Sequence, residues 1–309
     1  MLTRTAMSLG VLCVFAPAPQ SPSTHTAADA AYARIMARAT QAVQSELEGS
    51  TRIWDDHSTW DKAWEIESKH FRIRTTQPWA YGTKLGDGLD QMVAIMQQHG
   101  LELNLNGSAK GRVLLYPSIE EYNKHGNSNN ADEHSTLYGS YFGARESERP
   151  VVGVVNPSGT LVWMQITHSV THQLLHRAYP GQTRPPWIEE GLASYFALHW
   201  NWPWGAEELR RFQKEGNWVP VYNLLRRPVS RYGTQAHQYW IELGMLFSYL
   251  INYRADTKCT KDANGNKTGP FLDYLRDALA GKNVATHPLH AKLFEDTKVL
   301  EDGFKSNKW

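Results

Sequence analysis

The chain has 309 residues, and 41% of them are hydrophobic, so it can bury a substantial core as one large domain or two close-packed lobes. Lys and Arg number 32 against 31 Asp and Glu, which leaves a formal net charge of +1. Because the charges nearly balance and no long basic run occurs, neither a nucleic acid nor an anionic membrane is predicted as a partner.

Residues 1–18 have the pattern of an export signal. Arg4 gives a positively charged start, residues 7–15 form a short apolar run, and Ala-Pro-Ala at 16–18 offers small residues for cleavage. The apolar run is too short to span a bilayer, so we expect no stable membrane anchor. The prediction is an exported protein, periplasmic or extracellular; the alternative is a disordered or buried N-terminal tail. Beyond this segment Cys259 is the sole cysteine, which predicts no intrachain disulfide.

Residues 19–63 are predicted to form a linker and an N-terminal helix, and a single domain is predicted over 64–309. Phe71 and Ile73 alternate with arginines, as in a half-buried strand, and Ser118 is placed to cap a helix. The predicted elements up to residue 159 are helices at 31–47, 84–99 and 118–126, and strands at 70–76, at 111–118, within 136–143 and within 150–159.

The second half of the chain is predicted to be mostly helical, because its apolar residues recur three to four positions apart. This order of elements indicates an α+β fold, with a sheet lobe over about 64–162 and a helical lobe over about 163–309. The predicted helices after residue 159 lie at 163–177, 187–199, 206–214, 237–253 and 269–280.

The helix predicted at 163–177 carries two histidines four residues apart, His168 and His172, in the stretch "THSVTHQLLHR". One helical turn separates them, so both imidazoles can bind a single tetrahedral zinc ion. Ile166, Val170 and Leu174 lie on another side of the helix and are predicted to face a core. A lone pair of histidines at this spacing is common and usually has a structural explanation.

A third ligand is available in "WIEEGLASYF", where Glu190 follows His172 by eighteen residues near the start of the next predicted helix. Two histidines from one helix and a carboxylate from the next leave the fourth position of a tetrahedral zinc ion open. That arrangement is typical of a catalytic zinc site, whereas structural sites are closed by four protein ligands.

The segments "HSVTH" and "WIEEGLASYF" together resemble the gluzincin (peptidase MA-like) zinc metallopeptidases, and more narrowly the bacterial peptidase-like family DUF1570. That family has His-Glu-x-x-His followed by Trp-(Leu/Ile)-x-Glu-Gly-(Leu/Ile)-Ala-x-Tyr, and the resemblance extends over about 70–282. It implies a zincin-like fold, in which a small mixed sheet packs on a metal-bearing helix and a mainly helical C-terminal lobe follows. It also implies one Zn²⁺ per chain, with His168, His172 and Glu190 as the ligands.

The chain departs from this family at Ser169, where the motif has the glutamate that acts as the general base. Serine cannot accept a proton near neutral pH and return it to a leaving group, and loss of a general base costs about 10²–10⁴-fold in rate. Neither neighbouring candidate is a persuasive substitute, because Glu189 should point away from the metal and His176 lies a further turn along the helix. We therefore expect zinc binding without efficient peptide hydrolysis.

Two further residues are candidates for stabilising an oxyanion, since zinc peptidases often use a Tyr or His from a later helix for this purpose. They are His237 and Tyr239, although core packing explains most of that helix equally well. Trp200, Trp202 and Trp204 stand at alternate positions, and we expect them to lie beside a cleft at the metal site. They could form a stacking platform for a ligand, but packing over the neighbouring helix is the favoured interpretation.

Three functional hypotheses remain open at this point. The first is an exported, gluzincin-like zinc-binding protein with weak or no peptide hydrolysis, a pseudoenzyme, whose substrate or ligand is a peptide or protein. The second is a non-catalytic module that binds a peptide or glycan on an inherited peptidase fold. The third is an otherwise active peptidase in which Ser169 is an engineered or erroneous substitution.

Overall fold

A computed structural model describes residues 57–103, 105, 110–125, 139–141, 151–154, 160–227, 236–307 and 309. The predicted signal segment, the helix predicted at 31–47 and the linker up to residue 56 lie outside these residues. All of the described residues belong to one compact unit, Ala42–Trp309. Among the described helices, none combines the length and the apolar character that crossing a membrane requires.

Five of the described strands form one small mixed sheet, in the order β1-β2-β3-β5-β4. The β1–β2 and β4–β5 pairs are antiparallel, whereas β2–β3 and β3–β5 are parallel. The strands predicted at 70–76, at 111–118 and near 140 and 152 are confirmed, but β1 was not predicted. The strands are β1 (Trp64–Glu67), β2 (Phe71–Thr75), β3 (Gly111–Tyr116), β4 (Gly139–Tyr141) and β5 (Val151–Val154).

The remainder of the described chain is largely helical, as predicted, so the fold is α+β. Three short helices, α6, α9 and α10, and a small hairpin, β6–β7, were not predicted. The helices are α1 (Trp79–Gln98), α2 (Ile119–His125), α3 (Thr160–Ala178), α4 (Pro186–Leu198), α5 (Trp202–Glu215), α6 (Val221–Arg226), α7 (Ala236–Asn252), α8 (Pro270–Leu279), α9 (Pro288–Phe294) and α10 (Thr297–Ser306). The hairpin strands are β6 (Thr260–Lys261) and β7 (Lys267–Thr268).

Local chemistry explains where two of these helices begin. The Ser118 hydroxyl accepts a hydrogen bond from the Glu121 backbone N–H at 3.2 Å, so the predicted cap of α2 is formed. Helix α1 begins at Trp79 rather than at the predicted Lys84, directly after Pro78. Proline has a φ compatible with a helix start and lacks an N–H that would need a partner, so a helix can begin beside it without cost.

Helix α3 lies between the sheet and the helical part of the fold. It packs against β3, β4 and β5, and against α4, which in turn packs against α7. Glycine allows the α4–α7 contact to be close: a Cβ added at Gly191 would lie 2.0 Å from Cε2 of Phe247. A Cβ at Gly244 of α7 would lie 2.9 Å from the backbone of Ser194. This close packing fixes the position of α4 relative to α7.

Candidate metal centre

Helix α3 presents His168 and His172 together at one edge and buries its other side. Ile166, Val170 and Leu174 are each at most 1% exposed, as the helical spacing predicted. The Nε2 atoms of the two histidines are 3.2 Å apart. Because the backbone of α3 is held on both sides, the direction of both imidazoles is set by the helix itself.

Helix α4 brings Glu190 to the same point. Its Oε2 lies 3.3 Å from Nε2 of His168, and its Oε1 lies 3.6 Å from Nε2 of His172. The helix starts at Pro186, and Trp187 anchors its first turn by packing against Phe247, with ring centroids 5.6 Å apart. The three ligand-type residues predicted from sequence therefore converge, each side chain being at most 20% exposed.

The separations among these three side chains suit zinc. Zinc binds imidazole nitrogen and carboxylate oxygen at about 2.0–2.1 Å, so neighbouring ligands of a tetrahedral ion lie about 3.4 Å apart. The two histidine Nε2 atoms are 3.2 Å apart, and a carboxylate oxygen of Glu190 lies 3.3 Å from His168 and the other 3.6 Å from His172, each distance being close to that edge length. Among the described residues, His168, His172 and Glu190 form a group of metal-ligating side chains that could hold a metal ion.

The charges within the group also favour a cation. Burial raises the pKa of the Glu190 carboxyl, but the two histidines outweigh burial and hold this pKa well below its ordinary range. Burial lowers the pKa of His168, with Glu190 opposing it only in part. For His172, burial again acts to lower the pKa, but the charge of Glu190 reverses the balance and raises it. An ionised carboxylate thus lies between two imidazoles. A divalent metal ion can bind such a group and displace the protons shared among its members.

Ser169, the residue at the predicted position of the base, is on α3 and only 4% exposed. The neighbouring carboxylate, Glu189, is not part of the metal group formed by His168, His172 and Glu190. Its Oε1 accepts a hydrogen bond from Nη1 of Arg184 and lies 3.5 Å from Nε2 of His176. The guanidinium of Arg184 also donates to the carbonyl oxygens of Leu175 and Tyr179. Glu189 is therefore engaged in a structural ion pair, and it is unsuited to replace the base.

The two residues predicted to stabilise an oxyanion are placed differently from each other. Tyr239 is fully buried, and its hydroxyl donates to the carbonyl oxygens of Leu224 and Arg227 at 3.3 and 3.2 Å. A hydroxyl committed to the end of α6 is a packing feature, so the structure does not bring Tyr239 into the metal group. His237 is exposed, and the ring of Trp240 lies between it and His168.

Sequence reasoning missed Trp240, although it lies three residues after His237 on the same face of α7. Its indole Nε1–H donates to Nδ1 of His168, and the two ring centroids are 5.4 Å apart. The spacing of His237 and Trp240 was the available signal, because residues three apart on a helix share a face. The structure therefore adds one aromatic residue in direct contact with a candidate ligand.

The three tryptophans of the segment "HWNWPWG" do not form a common platform. The segment is helical, so residues two apart point in different directions. Trp200 is 8% exposed and packs against Trp163 at 5.0 Å between ring centroids. The Trp202 ring contacts Trp309 at 6.3 Å, and the Trp204 ring contacts His237 at 5.7 Å. Packing, the favoured interpretation, accounts for Trp200.

No protein-family model matches the chain, and no curated protein or solved structure shows significant similarity to it. The resemblance to gluzincins therefore stays a prediction made from the two sequence segments. The group formed by His168, His172 and Glu190 could hold a metal ion on its geometry alone.

Proposed function

We propose that the protein is an exported, zincin-like zinc-binding protein that resembles a metallopeptidase and hydrolyses peptide bonds weakly or not at all. One zinc ion per chain would be held by His168, His172 and Glu190. The observation that supports this proposal most directly is the convergence of their ligand atoms: Nε2 of His168 and Nε2 of His172 are 3.2 Å apart, and Oε2 and Oε1 of Glu190 lie 3.3 and 3.6 Å from them, respectively.

The three side chains have distinct tasks in this proposal. Glu190 supplies the negative charge, and the two imidazoles supply neutral nitrogen ligands, which leaves a fourth position for a water or a carbonyl oxygen. A bound zinc ion would polarise such a carbonyl and lower the pKa of a bound water. The partial burial of all three side chains strengthens these interactions, since it limits competition from solvent.

Ser169 supports the second half of the proposal, the weak hydrolysis. Peptide hydrolysis needs a group that takes up a proton and then returns it to the leaving amine. A serine hydroxyl does neither near neutral pH, and Glu189 is paired with Arg184. In this proposal the residues that would bind the metal are all present, and the residue that would transfer the proton is missing.

An extended peptide is the ligand that the sheet best accommodates. Strand β4 stands at the end of the described strand order, and α3 packs directly against it. An edge strand offers backbone N–H and C=O groups on one side, to which an extended chain can add as a further strand. A peptide bound in this way would run beside the helix that carries His168 and His172.

A non-catalytic peptide- or glycan-binding module is the second candidate. It is favoured by the combination of Ser169 with the partly exposed aromatic rings of Trp204, His237 and Trp240 near the metal group. Such rings can stack on a sugar or an apolar side chain without any chemistry. Turnover of a peptide by the purified protein would exclude this candidate.

The test of the proposal is the zinc content of the purified full chain, measured beside His172→Ala. We expect about one zinc per chain in the native protein and a loss of most of it in the variant. Circular dichroism establishes that the variant is folded, and His176→Ala serves as the matched control on the same helix. No zinc in the native protein, after dialysis against zinc-containing buffer, would overturn the proposal.

A further inference from the structure

The imidazole of His168 has different neighbours on its two nitrogen atoms. Nε2 faces the metal group, 3.3 Å from Oε2 of Glu190 and 3.2 Å from Nε2 of His172. Nδ1, on the opposite edge of the ring, accepts a hydrogen bond from the indole Nε1–H of Trp240. The two rings are 5.4 Å apart between centroids and inclined by 53°, so the indole lies against the edge of the imidazole.

This second contact has a consequence for the proton on the ring. A neutral imidazole has one N–H donor and one acceptor nitrogen, and the indole nitrogen of tryptophan can only donate. When Nδ1 accepts from Trp240, the ring proton lies on Nε2, where it can be donated to the carboxylate of Glu190. Binding of a metal through Nε2 requires the opposite arrangement, with a free electron pair on Nε2 and the proton on Nδ1.

Zinc-binding histidines ordinarily donate the N–H of their other nitrogen to a carboxylate, a carbonyl oxygen or water. Trp240 offers a second donor in place of that acceptor. When zinc is bound at Nε2, the Nδ1–H of His168 and the Nε1–H of Trp240 point at each other, and the hydrogen bond between the two rings is lost. The zinc ion and the indole therefore compete for His168, although they contact different edges of its ring.

We propose that Trp240 opposes metal binding and is displaced when His168 becomes a ligand. This inference rests on the proposed zinc site and adds a residue that sets its affinity. The position of Trp240 permits the movement, because its side chain is partly exposed, in the first turns of α7. The ring of Trp240 also contacts the exposed His237, at 6.0 Å between centroids.

The test compares the zinc dissociation constants of the native chain, Trp240→Phe and Trp204→Phe, each measured by competition with a chromophoric chelator at one pH. Phenylalanine keeps an aromatic ring and removes the N–H donor. We expect Trp240→Phe to bind zinc about tenfold more tightly, the equivalent of one hydrogen bond that no longer has to be broken. Trp204→Phe, which alters a tryptophan that contacts His237, should bind with the native affinity.

A second measurement reads the ring proton directly. In ¹⁵N-histidine spectra of the EDTA-treated native chain, the signal lost in His168→Gln should show the proton on Nε2, and zinc should move it to Nδ1. A proton on Nδ1 before zinc is added would overturn the role of Trp240. Equal zinc affinities of the native chain and Trp240→Phe would overturn it as well, while leaving the zinc site intact. If neither chain binds zinc, the proposed function itself fails.

Discussion

Glu189 and Glu190 are neighbours in sequence, yet their carboxylates have different partners. Successive residues on a helix point about 100° apart, so Glu190 meets the two histidines of α3 while Glu189 meets Arg184. The side chain of Arg184 is only 1% exposed, and Glu189 neutralises it. One carboxylate is therefore suited to binding a metal and the other to stabilising the fold, and substitutions can separate these two tasks.

Glu190→Gln and Glu189→Gln form a matched pair for this purpose. We expect Glu190→Gln to weaken zinc binding by at least about tenfold, because the amide is a poor zinc ligand. We expect Glu189→Gln to lower the free energy of unfolding by about 3 kcal/mol, because a buried guanidinium loses its counter-charge, and to leave zinc binding unchanged. Urea unfolding and zinc titration of both variants provide the check. Loss of zinc binding in Glu189→Gln alone would show that the ligand has been assigned to the wrong glutamate.

Ser169→Glu tests whether the missing base is the one obstacle to catalysis. If the remaining residues still suit peptide hydrolysis, the variant should cleave an unstructured protein such as casein about 10²–10⁴-fold faster than the native chain. Ser169→Ala is the control and should behave like the native chain. Since Ser169 is 4% exposed, thermal melting must accompany the assay to detect overpacking by the longer side chain. A folded, zinc-bound variant without activity would favour the non-catalytic binding module.

The three candidate ligands could be predicted from sequence because their geometry is mostly local. Four residues along a helix bring His168 and His172 to one face, whatever the rest of the fold does. Trp240 and Arg184 were not predicted as partners of this site. Their contacts depend on how α7 and the connection before α4 pack against α3, and neither the period nor the composition of the sequence reports that packing.

At the scale of elements, α7 carries a carboxyl group that the site does not use. Glu242 is fully buried, and it accepts hydrogen bonds from the Val219 backbone N–H at 3.1 Å and from Nε2 of Gln238 at 2.6 Å. Burial raises the pKa of this carboxyl from 4.5 to about 8, and these hydrogen bonds offset only part of the effect. Glu242 is therefore largely protonated in the folded chain at neutral pH and ionised in the unfolded chain.

This difference makes the stability of the fold depend on pH. Between about pH 4.5 and pH 8 the unfolded chain releases the proton and the folded chain retains it, so the free energy of unfolding falls as the pH rises. Glu242→Gln keeps the shape without the charge, and we expect it to be more stable than the native chain at pH 8 by a few kcal/mol and similar at pH 4.5. Urea unfolding at both pH values measures this. A difference between the two chains that does not change with pH would contradict the burial of an ionisable group there.

Some elements were not predicted, because their own short sequences carry too little signal. Strand β1 has the short pattern "WEIE", which becomes a strand through antiparallel pairing with β2, for example Ile66 with Ile73. Helices α6 and α9 have only 6 and 7 residues, too few for their periodicity to stand out. The long helices α3, α4 and α7 were predicted, because several turns repeat the same apolar spacing.

At the scale of the whole molecule, the metal group joins two helices that pack on different parts of the fold. His168 and His172 lie on α3, which packs on the sheet, whereas Glu190 lies on α4, which packs on α7. Separating α3 from α4 would therefore break the group. An ion bound only when all three ligands are together should stabilise the entire fold, because it binds the folded chain in preference to the unfolded one.

Thermal unfolding with and without zinc tests this coupling. At a free zinc concentration of about 100 times the dissociation constant, binding adds about 2.7 kcal/mol to the free energy of unfolding. For a chain of this size that shift corresponds to an increase in Tm of about 5 °C, and EDTA should reverse it. His172→Ala should have the same Tm with and without zinc, since it lacks a ligand. Trp240→Phe should reach the Tm increase of the native chain at a lower zinc concentration. The site proposed here needs all three ligands to stabilise the fold through a bound ion. If zinc raised the Tm of His172→Ala as much as that of the native chain, the stabilising ion would therefore be bound elsewhere.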